Sequence, residues 1–128
     1  MMQSTTDADL TARETGSLIA ADKVDGTEVR NPAGETLGTI ERVMIDKRSG
    51  KVAYAVMRFG GFLGLGADRQ PIPWDLLKYD EEVGGYVLNL AKEKLEGAPS
   101  TGRDFDAELS GQEWREPLYR HYGAAPYW

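Results

Sequence analysis

Residues 51–59, KVAYAVMRF, constrain the fold more than any other stretch of the chain. Val52, Tyr54 and Val56 share one side of an extended strand, and Ala53, Ala55, Met57 and Phe59 share the other. Both sides are apolar, so such a strand must be covered on both. The alanines permit close approach of neighbouring backbone. This describes an interior strand of a small, tightly closed sheet.

Turn chemistry brackets the strand and recurs along the chain. Asn31-Pro32-Ala33-Gly34 and Lys47-Arg48-Ser49-Gly50 combine residues that preset a turn with residues that relax one. Residues 17–59 therefore read as strands punctuated by turns. Within residues 37–46 the alternation breaks near Ile40 and Glu41, where a β-bulge is expected. Residues 69–74 form a further short strand, restricted to an edge by Pro71 and Pro73. Beyond it come a turn or short helix, a strand and a hairpin turn, with Asp80, Glu81 and Glu82 in the solvated turn. Residues 91–96 read as a short helix, with Asn89 before it and Gly97 and Pro99 beyond. Short strands with regular turn signals and no βαβ alternation predict an all-β fold.

A chain of 128 residues fits one domain with a real core. Its 15 basic residues are scattered among 21 acidic ones, for a net charge of -6. That balance argues against nucleic acid, whose phosphates call for clustered cations, and against anionic lipid. No apolar run reaches the ~20 residues of a membrane span, and the first residues lack a secretory signal's apolar stretch. Residues 1–16 are expected to be a flexible leader. The absence of cysteine fits a cytoplasmic location.

The glycine-rich stretch FGGFLGLGADRQPIPW invites comparison with phosphate loops. A Walker loop ends in Lys followed by Ser or Thr, but here Gly66 is followed by Ala67, Asp68 and Arg69. The dinucleotide fingerprint needs a third glycine opening a helix. Arg69 stands at that place, and Pro71 and Pro73 oppose the helix. The glycines are better read as devices for folding a tight loop, and Phe62, Leu63 and Leu65 as its contact residues, ordered and without phosphate.

Several motifs together resemble the PRC-barrel family. They are Gly26-x-x-Val29, Gly34-x-x-x-Gly38-x-Ile40, Gly50-Lys51-Val52-Ala53-Tyr54, Gly60-Gly61-Phe62-Leu63-Gly64, Pro73-Trp74 and Ala98-Pro99. The resemblance covers residues 17–100, and the closing YGAAPYW is similar to the tail of stand-alone members. The family takes its name from the photosynthetic reaction centre H subunit, and the ribosome maturation factor shares its fold. The resemblance implies a small, partly open β-barrel over residues 17–100, serving as an adaptor without family-wide catalytic residues. A linker and an aromatic, partly helical tail would occupy residues 101–128. In that tail Ser110 and Glu113 suggest a capping box. Pro117 is expected to split the segment into two short helical turns.

No catalytic, cofactor or metal site is expected. His121 is the single histidine, and no nucleophile elbow is present; a packing or hydrogen-bonding role suits it. Asp104, Asp106 and Glu108 read as solvated linker, and Trp74 as core. The chain is thus expected to be a non-catalytic interaction or assembly module, forming a homodimer and serving a protein client. Its contact residues would be Phe62, Leu63, Leu65, Trp114, Leu118, Tyr122, Tyr127 and Trp128. The alternative is a small-molecule-binding barrel or minor enzyme with a pocket at the barrel mouth, for which Arg58 and Asn89 are the candidate polar residues.

Overall fold

The computed structural model describes residues 14–59, 68–96 and 110–128. The expected leader up to residue 13, the loop of residues 60–67 with Phe62, Leu63 and Leu65, and the linker with Asp104, Asp106 and Glu108 lie outside the described residues.

Among the described residues six strands form one curled sheet, a half-barrel. They are β1 (Glu28–Arg30), β2 (Thr36–Ile45), β3 (Val52–Phe59), β4 (Asp68–Pro73), β5 (Leu77–Asp80) and β6 (Gly85–Leu88). Their spatial order is β4-β3-β2-β1-β6-β5. Four neighbouring pairs are antiparallel, and β1 with β6 is parallel. A single-turn 3-10 helix, Trp74–Leu76, joins the two outermost strands of that order. The strand expected to be interior, β3, is paired on both sides. The proline-bearing β4 lies at the end of the sheet order, where a missing N–H leaves no gap in an outer ladder.

The expected irregularity in β2 is present. Ile40 pairs with Met57 and Arg42 with Val56, so Glu41 is the extra residue. The turn at residues 31–34 is held by the buried Asn31. Its side-chain carbonyl accepts from the Glu35 amide at 2.9 Å, and its side-chain amide donates to the Glu35 carboxylate at 2.7 Å. The β5–β6 hairpin turns at residues 81–84, as expected from its acidic run.

Two expectations are corrected. Residues 21–24 are a one-turn helix, α1 (Ala21–Val24), not a strand; it places Val24 in the core. Pro117 does not divide the tail. It is the third residue of one helix, α3 (Arg115–Tyr122), whose N-cap is Trp114 without a side-chain cap. The first four N–H groups of a helix have no intrahelical acceptor, so the proline removes nothing there. The expected cap from Ser110 therefore does not start this helix. Gly123 ends it at φ 68°, the left-handed region. The Gly123 amide donates to the Arg120 carbonyl and the Ala124 amide to the Tyr119 carbonyl, which closes the last turn.

Every helix and strand faces one core. Val29, Ile40, Ala55, Met57, Ile72, Leu77 and Leu88 enter it from the six strands, and Leu95 from the short helix α2 (Lys92–Glu96). Leu118, Tyr119 and Tyr122 enter it from α3. Helix α3 thus packs into the barrel's own interior. The Tyr119 hydroxyl donates to the Ala53 carbonyl at 3.3 Å, and His121 Nε2 lies 2.8 Å from the Lys94 carbonyl. For that second contact the imidazole must carry its proton on Nε2. His121 is a hydrogen-bonding residue linking α3 to α2, as its sequence setting suggested.

Candidate interaction surface

The outer side of β3 carries a second, smaller cluster: Ala53, Tyr54 and Val56, with Trp114 packed on them. The Trp114 ring meets Tyr54 edge-on at 4.9 Å between centroids, and its indole N–H donates to the Gly111 carbonyl at 3.1 Å. Tyr127 continues the array, 6.2 Å from Tyr54 and 5.9 Å from Tyr119. Trp128 lies 5.0 Å from Tyr119 and 5.2 Å from Tyr127. The Arg115 guanidinium covers the Trp128 ring at 4.4 Å and donates to the Tyr127 hydroxyl at 3.2 Å. Edge-to-face rings and a stacked cation fix the chain end without a further helix or strand.

This array leaves apolar surface in water. Trp128 is 49% exposed and Tyr127 36%. At the end of β2, Met44 faces Tyr54 across the ladder and Ile45 faces Val52. Directly paired residues share a side of the sheet. A second register shift, between Met44 and Ile45, makes Ala53 the extra residue of β3, so Met44 shares the side of Tyr54 and Ile45, beyond the bulge, does not. They are 38% and 52% exposed. Burial of Tyr54 pushes its phenol up to about 12, and Tyr127 beside it acts the same way. Tyr119 and Tyr122 are also raised by burial, with the Gln70 side chain opposing the shift at Tyr122.

These shifts carry an expected result. A phenol raised in the folded state is protonated there when the unfolded chain has already released its proton. The stabilisation is complete below pH ~10 and is lost as pH rises through the folded value. For Tyr54 the window runs from about pH 10 to pH 12, with a slope of about 1.4 kcal/mol per pH unit. Denaturant midpoints measured across this range should fall. Flat midpoints up to pH 12 would contradict the burial assigned to these rings.

The residues expected to make contacts thus divide. Leu118 and Tyr122 are buried in the chain's own core, at 1% and 7% exposure, where no partner can reach them. Trp114 is half-buried on Tyr54. Tyr127 and Trp128 are exposed, and Met44 joins their face. Sequence reading missed Met44 because the irregular pattern of β2 leaves its side unassigned until the strand is paired. The broken period in residues 37–46 was the available signal. The alternative site residues are both exposed: Arg58 is 3.5 Å from the Glu41 carboxylate, and Asn89 follows β6. Trp74 packs on the core beside Tyr86, as expected.

Among the described residues no helix is long and apolar enough to cross a membrane. Compared with known proteins, residues 17–95 match the family model of the PRC-barrel domain. None of the curated proteins searched matches the chain.

Proposed function

Because the chain belongs to the PRC-barrel family, a domain type known for protein interaction and assembly, we propose that it is a non-catalytic assembly module that pairs with a second copy of itself. The observation that supports this reading is the exposed face formed by Met44, Tyr127 and Trp128 on a backing of paired strands and stacked rings. Aromatic and methionine side chains are enriched at interface cores. A two-fold pair buries one such patch against its twin and is the commonest oligomer. The dimer would then hold a protein client in the cytoplasm, a compartment compatible with a chain free of cysteine.

The test is the mass in solution. Light scattering at micromolar concentration should report about twice the 14.1 kDa of one chain. Met44→Glu places a charge on an exposed strand position, so folding should survive while the mass halves. A wild-type chain that stays at the monomer mass at high concentration would end the dimer reading. So would a Met44→Glu variant that is folded and still paired.

A further inference from the structure

A cleft of about 290 Å³ opens on the side of the molecule built by β5, β6 and residues 14–19. Two short-range features make its wall. Glu14 and Ile19 pair as an isolated bridge, and the Thr15 hydroxyl accepts from the Leu18 amide at 3.0 Å. The floor is aromatic: Tyr79 and Tyr86 meet edge-on at 5.1 Å. Leu18 and Ile19 contribute hydrocarbon, and Leu18 is 71% exposed. Two carboxylates line the cleft, Glu14 and Glu81. Glu14 is matched by an ion pair with Lys23 and a hydrogen bond with Tyr79, which hold its carboxyl below the usual range. Glu81 makes no ion pair among the described residues, and Asp80 and Glu82 flank it in the hairpin.

From this combination we infer that the cleft binds an organic cation, an alkylammonium or guanidinium group carried on a hydrocarbon stem. A cation is drawn to the half-buried Tyr79 ring, which lies over the 3% exposed Tyr86, and to an unmatched carboxylate. The stem lies along Leu18 and Ile19, as lysine and arginine stems do on apolar surface. An anion would meet Glu81 and the acidic turn. A neutral apolar ligand would gain the stem contact and lose the charge. The cleft shares no residue with the face that carries the self-association proposal, so the two stand or fall separately.

The experiment is an NMR titration of the full chain, following the Tyr79 and Tyr86 rings and the Ile19 and Glu81 amides. The probes are n-butylammonium, n-butylguanidinium, 1-butanol and butyrate. Saturable shifts are expected with both cations at a dissociation constant on the order of 1 mM, the range open to a ligand of so few atoms. Butanol and butyrate should show no saturation at tenfold higher concentration. Glu81→Gln, at an exposed turn position, should weaken the cations about fivefold, a typical value for one solvated charge contact. A glycine-flanked lysine peptide then distinguishes the source of the group. Tighter binding than butylammonium assigns the cleft to a protein side chain, and equal or weaker binding to a free amine. The inference is overturned if no cation saturates, if butanol binds as well as the cations, or if Glu81→Gln leaves their affinity unchanged.

Discussion

Deleting residues 110–128 is expected to unfold the barrel. Leu118, Tyr119 and Tyr122 are 1%, 3% and 7% exposed and lie in the same cluster as Ile40, Met57 and Ile72. Their removal opens one side of the core to water and also leaves the outer cluster of Tyr54 and Val56 without Trp114. A single truncation inside the helix isolates the effect. Leu118→Ala removes a buried side chain from a packed interior, at a cost of about 3 kcal/mol. For a chain of this size the melting temperature should fall by roughly 10 °C. Circular dichroism melts of the two variants check this. Light scattering on the same samples separates two roles for the tail. A truncated chain that is folded, as stable as the parent and merely monomeric would assign the tail to an interface. Loss of the cooperative melt confirms it as interior.

The second large effect concerns Gly38. A Cβ at this position would lie 2.3 Å from the Arg58 carbonyl oxygen, 3.0 Å from the Phe59 Cβ and 3.1 Å from the Met57 Cγ. Met57 is packed in the core, and the Arg58 carbonyl belongs to the backbone of the neighbouring strand, where Arg58 pairs with Thr39. Relief would require β2 and β3 to separate. Gly38→Ala is therefore expected to cost more than about 3 kcal/mol, in the range of overpacked or strained core changes. Gly16→Ala is the control, since nothing lies within 4 Å of its added carbon. Urea unfolding of both variants should show a large drop in midpoint for the first and none for the second. A Gly38→Ala midpoint equal to that of the parent would disprove the close approach of the two strands.

What could be read without a structure was what depends on neighbours along the chain. The two-sided apolar pattern of residues 52–59 announced a strand paired on both sides. Pro71 and Pro73 announced a strand at the end of the sheet order, and the break at Glu41 announced a bulge. The motifs with Gly26, Gly34, Gly38 and Gly50 carried the resemblance that the family match over residues 17–95 bears out. Turn geometry, strand periodicity and helix-stopping residues act over a few positions, so they survive in a linear reading.

What only the tertiary structure decided is which surface each apolar face meets. Pro117 looked like a break because its effect depends on where the helix begins, and Trp114 as N-cap places it in the first turn. Leu118 and Tyr122 looked like contact residues because a stretch of aromatic side chains is equally suited to a partner and to its own barrel. The pairing of Tyr119 with Ala53, 66 positions apart, resolves that ambiguity in favour of the barrel. Met44 comes to lie beside Tyr54 only when β2 is laid against β3. The parallel contact of β1 with β6 joins strands more than 50 residues apart in the chain, and no local pattern specifies it. Amino-acid pattern determines which side chains avoid water; the long-range pairing of backbone determines whether the chain itself or another molecule covers them.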